Sequence, residues 1–415
     1  MKCIVPDTGI TISPIGDVVL CCASDEVAIG HIKDIDNITD FFNGDIYNQL
    51  RTDFKNKNFP PQCNTCWVHH KAGRTARFYA YNYLFEFPTY DEDTSSDVIP
   101  IRFLEITTSN ICNQMCVMCS GKYSSKWAPY EQIAVDSGLK WRNQNHKFHT
   151  KTYKMTDKDV DKILDIVPGL QHLTIKGGEP FADQNNIKIL RKVAETNPNC
   201  RVEICTNFQL VTKTDIELLH KIKEVHIYAS IDGTGSLYNW IRGGNFDKTV
   251  NNIKRYHAYA GRYIEVVSTI SIYNWMDIDK LIDYWIDVPG IHRFGCANMV
   301  TFPKYCSPLH LYEHHIKEGQ EKLSSYLNSK FTKVDTSSNF GKIAHRSSYI
   351  NDKLHVFDVN NVMSVKLTED EWTSNDIIRS RMMEWINFCL VARQNDEDIF
   401  DLVPYLKEYK NDQLC

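Results

Sequence analysis

No stretch of about 18 consecutive apolar residues occurs anywhere in the 415-residue chain, so the sequence offers no candidate membrane-spanning helix. The first residues, Met1 to Ser13, carry neither a basic start nor a continuous apolar run, and no secretory signal peptide is read there. A large excess of one charge sign is lacking as well, with 47 Lys and Arg against 52 Asp and Glu. The formal net charge is −5, and Lys and Arg are scattered rather than gathered into a stripe, which leaves no electrostatic footprint for nonspecific binding to nucleic acid or anionic membranes. Internal repeats and extended low-complexity segments are missing, and 42% hydrophobic with 24% charged residues is the composition of a globular protein. These absences point to a soluble, cytoplasmic protein with no membrane partner and no nucleic acid indicated. At roughly 100–200 residues per domain, the length calls for two or three packed units.

What the chain has in quantity is cysteine, 14 in all. In a reducing compartment a disulfide framework is disfavoured, and clustered thiols are better explained by metal binding. One cluster is Cys3, Cys21, Cys22, Cys63 and Cys66; a second is Cys112, Cys116 and Cys119; the other six are single. The single ones read as small hydrophobes, with Cys205 inside a strand. For Cys296 and Cys306, near the end of the sixth strand candidate, facing the active site is the alternative to that reading, and Cys415 has no assigned role.

From residue 101 onward, apolar runs of strand length alternate with helical patterns: 101–107, 172–176, 201–206, 225–231, 263–272 and 291–298. Thr156 with Asp159 marks a helix start, stopped by Pro168, and Thr214 with Glu217 reads as a second start. Such βα alternation fits an open parallel sheet or a partial barrel. About fifty residues separate Cys119 from the second strand, including the basic and aromatic stretch Lys140 to Lys154, and a connection of that length reads as a lid or substrate-contacting segment, with plain disorder as the alternative. The expected division is a cysteine-bearing unit at 1–75, a linker at 76–99, the βα unit at 100–300 and a mostly helical extension at 301–415. Helices are expected there at 309–327 and about 369–392, with a Ser/Asn/Lys-rich stretch around 328–352 between them.

Cys112, Cys116 and Cys119 have the spacing C-x3-C-x2-C in a loop directly after the first βα strand. A structural zinc normally takes four protein ligands, whereas a four-iron cube held by three thiolates leaves one iron open. The run Cys112-Asn113-Gln114-Met115-Cys116-Val117-Met118-Cys119 resembles the signature of the radical S-adenosylmethionine superfamily. The resemblance implies a partial (β/α)6 barrel, a [4Fe–4S] cluster whose open iron chelates S-adenosylmethionine, and reductive cleavage of that cofactor to a 5′-deoxyadenosyl radical that abstracts hydrogen from a substrate. In the family an aromatic residue usually precedes the third cysteine; here Met118 stands in its place, toward the adenine. Gly177-Gly178-Glu179-Pro180 follows the second strand, where the family binds the cofactor's amino group. By the same resemblance, Ser230 and Arg242 match positions that hold its carboxylate, and Asn207 stands where ribose or carboxylate is touched. Read without the resemblance, Arg242 is a surface ion-pair residue and Asp232 a turn residue before Gly233. No catalytic acid, base or radical relay is named; Tyr228, Tyr238 and Asp232 lie near strand ends.

Cys3, Gly16 and Cys21 form a C-x12-G-x4-C pattern, followed by Cys63-x2-Cys66. This resembles the SPASM and twitch domains that hold auxiliary [4Fe–4S] clusters, although in those relatives the domain usually follows the barrel. Four thiols imply one auxiliary cluster, with Cys22 competing with Cys21 as ligand and a four-cysteine zinc site as the alternative. The expected substrate is a peptide or protein, with a small molecule as the alternative, and the electron donor a reductase such as flavodoxin or ferredoxin. The reading of another class is a noncatalytic zinc-binding scaffold.

Overall fold

A computed structural model describes residues 3–24, 27–71, 98–136, 148–300, 303–335, 347–350, 354–357, 375–393 and 397–412. Cys415, the linker up to residue 97 and residues 137–147 of the long first crossover lie outside the described residues. Two units are distinguished, one made of residues 1–111, 152–205 and 212–226, the other of residues 112–151, 206–211 and 227–415.

The first unit carries β1 (Gly9–Ile12), β2 (Asp17–Val19), β3 (Ala28–His31), β4 (Phe103–Ile106), β5 (His172–Ile175) and β6 (Arg201–Thr206). Their order across the sheet is β3-β2-β1-β4-β5-β6. The first three form antiparallel pairs, while β1, β4, β5 and β6 run parallel, with Ile10 opposite Leu104 and Leu104 opposite Leu173. Every residue of β1, β4 and β5 is buried, as expected of parallel strands covered on both faces. The cysteine-bearing segment therefore continues the sheet of the βα strands directly, through β1 against β4.

Helix Asp157–Ile166 starts at the capping box of Thr156 and Asp159, as the sequence predicts, and buries Val160 and Ile163. The start read at Thr214 and Glu217 lies two residues too late: Thr212 and Asp215 form the box that opens helix Lys213–His220. Both pairs have the right spacing, and flanking apolar residues decide between them. Val211 and Ile216, at the two positions of a hydrophobic staple around Thr212, are 3% and 1% exposed. Lys213 takes the first of those positions for a start at Thr214.

The second unit holds β7 (Glu224–Ser230), β8 (Ile264–Ile270), β9 (Ile291–Met299), β10 (Phe331–Asp335), β11 (Ser347–Ile350) and β12 (Leu354–Phe357), in the order β7-β8-β9-β12-β11-β10. β7, β8, β9 and β12 are parallel, and β12, β11 and β10 antiparallel. All six βα strands expected from the sequence are thus present as β4 to β9, three in each unit. The extension has its two long helices, Glu313–Lys330 and Asn375–Arg393. The polar stretch between them also contributes β10 and β11, while the short apolar run Leu354–Phe357 just beyond it forms β12, which pairs with β9.

Candidate functional site

The cysteine loop belongs to the second unit and is held by hydrogen bonds at almost every step. The Cys119 N–H donates to the Cys116 carbonyl at 2.9 Å, closing a turn, and the Gln114 N–H points at Cys112 Sγ, 3.4 Å away. An amide aimed at sulfur stabilises the thiolate form. Two indoles clamp the loop from outside: Trp127 Nε1 donates to the Cys116 carbonyl at 2.8 Å and Trp385 Nε1 to the Val117 carbonyl at 3.1 Å. Both tryptophans are fully buried, with ring centroids 5.1 Å apart. Ser125 Oγ accepts from the Cys112 N–H, and Ser124 Oγ donates to the Gln114 carbonyl.

Cys116 is buried, while Cys112 and Cys119 are partly exposed. Burial pushes the Cys116 thiol up, against the opposing pull of the Arg242 charge. A thiolate at that position therefore needs a nearby cation, and a metal supplies one. The loop thus fits a three-thiolate cluster, with two sulfurs accessible from one side and a third fixed inside.

Around the loop lies a polar lattice that the sequence only partly revealed. Asn207 Nδ2 donates to Asn113 Oδ1 at 2.8 Å, bringing the third-strand asparagine to the cysteine loop. Arg242 donates through Nη1 to Asp232 Oδ2 at 2.6 Å and through Nε to Gln114 Oε1 at 3.2 Å. Asp232 is fully buried, and its other oxygen accepts the Thr269 N–H at 2.7 Å. The surface ion-pair reading of Arg242 is corrected here: the pair exists, but in the interior, with the fully buried Asp232 as its partner. Gln114 also donates to the Tyr238 hydroxyl at 3.1 Å. Gln114 sits inside the signature and Trp127 shortly after it, yet no spacing rule marks either as a support. Ser230 ends β7 opposite Val267, and both Ser230 and Met118 are half-buried.

In the first unit, Gly177 and Gly178 follow β5. Gly177 has φ +116°, and a Cβ there would lie 1.9 Å from Thr107 Cγ2. At Gly178 a Cβ would lie 2.1 Å from the carbonyl oxygen of Ile111, the residue before Cys112. Glycine is thus required for this turn to approach the start of the cysteine loop. Glu179 is 2% exposed, donates its N–H to the Ile111 carbonyl at 2.7 Å, and accepts the Phe181 N–H on Oε1 at 3.1 Å. Replacing Gly178 by alanine is expected to cost about 1–3 kcal/mol through overpacking against backbone that cannot turn aside. Thermal denaturation of the cluster-loaded protein checks this, and an unchanged midpoint would contradict the close approach.

The N-terminal thiols gather in the same unit. Cys21 and Cys63 are buried in one cluster with Val5, Leu20, Leu50 and Phe103, and Cys3 packs against it. Burial pushes the Cys3 thiol up to about 12, with Cys66 adding to the rise, and it pushes Cys21 up as well, with Cys22, Cys3 and Cys66 contributing. Cys22 is exposed, with Lys176 Nζ 4.0 Å from its sulfur. Arg51 anchors the Cys3 segment by donating to the Pro6 and Phe42 carbonyls. Zinc–sulfur bonds of about 2.3 Å would place tetrahedral thiolates roughly 3.8 Å apart. Among the described residues no three cysteine sulfurs lie within 4.8 Å of one another.

Of the single cysteines, Cys200, Cys306 and Cys389 are buried and Cys205 partly so, and Cys306 lies 3.9 Å from the Tyr273 hydroxyl. No helix among the described residues is long and apolar enough to cross a membrane.

Comparison with known proteins gives two family matches. Residues 106–284 match the Radical SAM superfamily, and residues 3–67 match SPASM, an iron–sulfur cluster-binding domain. No curated protein sequence matches the chain. Among solved structures, the chain is similar to Streptococcus suis SuiB bound to S-adenosylmethionine, with 20% identity over 55% of this chain and 45% of that one and a TM-score of 0.36. It is also similar to native anSMEcpe with bound AdoMet, with 15% identity over 55% and 61% and a TM-score of 0.37. A domain of a pyruvate-formate lyase-activating enzyme from Bacteroides vulgatus ATCC 8482 gives 16% identity over 37% and 92%, with a TM-score of 0.29. The chain spans about half the length of the first two of these structures.

Proposed function

We propose that this chain, a member of the radical S-adenosylmethionine superfamily with a SPASM domain at its N-terminal side, modifies a peptide or protein substrate. It is an enzyme whose cofactors are S-adenosylmethionine and [4Fe–4S] clusters. When bound, these supply a 5′-deoxyadenosyl radical that removes a hydrogen atom from the substrate, and the protein's task is positioning. Cys112, Cys116 and Cys119 hold the radical-generating cluster in this reading, and Cys3, Cys21, Cys63 and Cys66 the auxiliary one. Cys21 is preferred to Cys22 because it is buried beside Cys63 while Cys22 faces outward. Glu179 takes the cofactor's amino group, Ser230 and Arg242 its carboxylate, Asn207 its ribose or carboxylate and Met118 its adenine. Electrons come from a small reductase of the flavodoxin or ferredoxin kind.

The observation that carries the peptide reading is β3, the outermost strand of the first unit's sheet, within the SPASM segment itself. An edge strand offers main-chain donors and acceptors to an extended peptide, which adds as a further strand and is read through alternate side chains. The cluster-loaded enzyme, reduced and given S-adenosylmethionine, is expected to release 5′-deoxyadenosine faster when a peptide fraction of cell extract is added. Protease treatment of that fraction should remove the stimulation. Stimulation that survives protease would reject the peptide in favour of a small molecule, and zinc-loaded protein without cleavage would reject the enzyme for the scaffold.

A further inference from the structure

Away from both cysteine groups, the second unit brings two histidines and a carboxylate together. His314 and His315 lie in the first turn of helix Glu313–Lys330, and Glu408 lies in the 3-10 segment Pro404–Asp412. One ligand atom from each falls within 4.8 Å of the others, the only such group of three among the described residues. His314 Nε2 is 3.3 Å from Glu408 Oε2, and His315 Nε2 is 3.4 Å from Glu408 Oε1.

These separations are long for a charge-assisted hydrogen bond, which closes to about 2.7–2.9 Å. They match the edge of a coordination tetrahedron: metal–nitrogen and metal–oxygen bonds of about 2.0–2.2 Å put neighbouring ligand atoms roughly 3.3–3.5 Å apart. The surroundings also resemble those of a ligating histidine, whose other ring nitrogen is normally fixed by a hydrogen bond. His315 is 2% exposed, and its Nδ1 lies 2.9 Å from the Tyr409 hydroxyl. That hydroxyl oxygen already accepts the Tyr312 N–H at 2.7 Å and is held by the stacking of Tyr312 on Tyr409, with centroids 4.4 Å apart. In the tautomer that donates Nδ1–H to Tyr409, the Nε2 lone pair of His315 faces the carboxylate, an arrangement that a cation between them satisfies.

We propose that His314, His315 and Glu408 bind a divalent transition metal, zinc by preference. Two imidazoles and one carboxylate suit zinc and leave a fourth position for water. The bound ion clips the 3-10 segment Pro404–Asp412 to the start of helix Glu313–Lys330. Zinc is the probe, added under anaerobic conditions to protein already loaded with iron and sulfide, followed by gel filtration and metal analysis. Wild-type protein is expected to retain one zinc per chain with its iron undiminished. His314→Gln and Glu408→Gln, both at exposed positions, should bind zinc roughly a hundredfold more weakly at the same iron content. Zinc should also raise the thermal midpoint of the wild type and leave those of the variants unmoved. No retained zinc, equal retention in the variants, or zinc gained only as iron is lost would each overturn the site.

Discussion

Changing Cys112, Cys116 and Cys119 together to alanine is expected to abolish 5′-deoxyadenosine formation while roughly halving the iron, from about eight to about four per chain. The loss is complete because, among the described residues of the second unit, no other group of thiols is held in a hydrogen-bonded loop of this kind. The remaining iron stays because Cys3, Cys21, Cys63 and Cys66 lie in the other unit, where Cys3, Cys21 and Cys63 share one apolar cluster and Cys66 acts electrostatically on Cys3 and Cys21. Chromatographic detection of deoxyadenosine after dithionite reduction, with iron and sulfide analysis of the same sample, reads both halves. Continued cleavage of S-adenosylmethionine by the triple variant would sink the assignment of the loop. Loss of all iron would contradict the independence of the two sites.

The second large effect is expected at Arg242. Its guanidinium joins a fully buried carboxylate, Asp232, to Gln114 within the cysteine signature. Arg242→Leu leaves Asp232 with one backbone partner, Thr269, and no counter-charge, a change that typically costs about 3–5 kcal/mol. Arg242→Lys should recover only part of this, since a point charge cannot reproduce a fork that reaches two acceptors in fixed directions. Urea denaturation of the cluster-loaded variants measures the loss, and a difference below about 1 kcal/mol for Arg242→Leu would show that the pair adds little. Because the pair also steadies Gln114, the leucine variant should carry less iron at the radical-generating site even where it folds.

Local signals explain what the sequence disclosed. The six βα strands are apolar runs bounded by polar turns, and their positions follow from composition alone; β6 at Arg201–Thr206 coincides with its predicted span. The capping box at Thr156 rests on residues three apart and is equally legible. Features decided by distant partners were not. The pairing of β1 with β4 joins positions far apart in the chain, and nothing in the Gly9–Ile12 run names its neighbour. Strands β10 and β11 come from a polar stretch whose order derives from pairing through β12 onto β9. At the site, the cysteine positions and Gly177-Gly178 declare themselves through spacing. The indole clamps of Trp127 and Trp385 do not, since their partners are backbone carbonyls that any residue could provide. Arg242 shows the difference most plainly: its position matches a family pattern, while its contact with Asp232 is a property of this chain's own packing.

The parallel pairing of β1 with β4 also sets an order of events during synthesis. β1 emerges from the ribosome about ninety residues ahead of β4, an interval of roughly 5 to 20 s at the usual rate of about 5–20 residues per second. Once Cys66 has been made, Cys3, Cys21, Cys63 and Cys66 all wait while about 37 more residues are added before Phe103, which packs in one apolar cluster with Cys21 and Cys63 and lies in the strand that pairs with β1. The nascent thiols thus pass through a window of exposure before the fold can shelter them, which makes metal delivery to this site a race between the ribosome and oxidation.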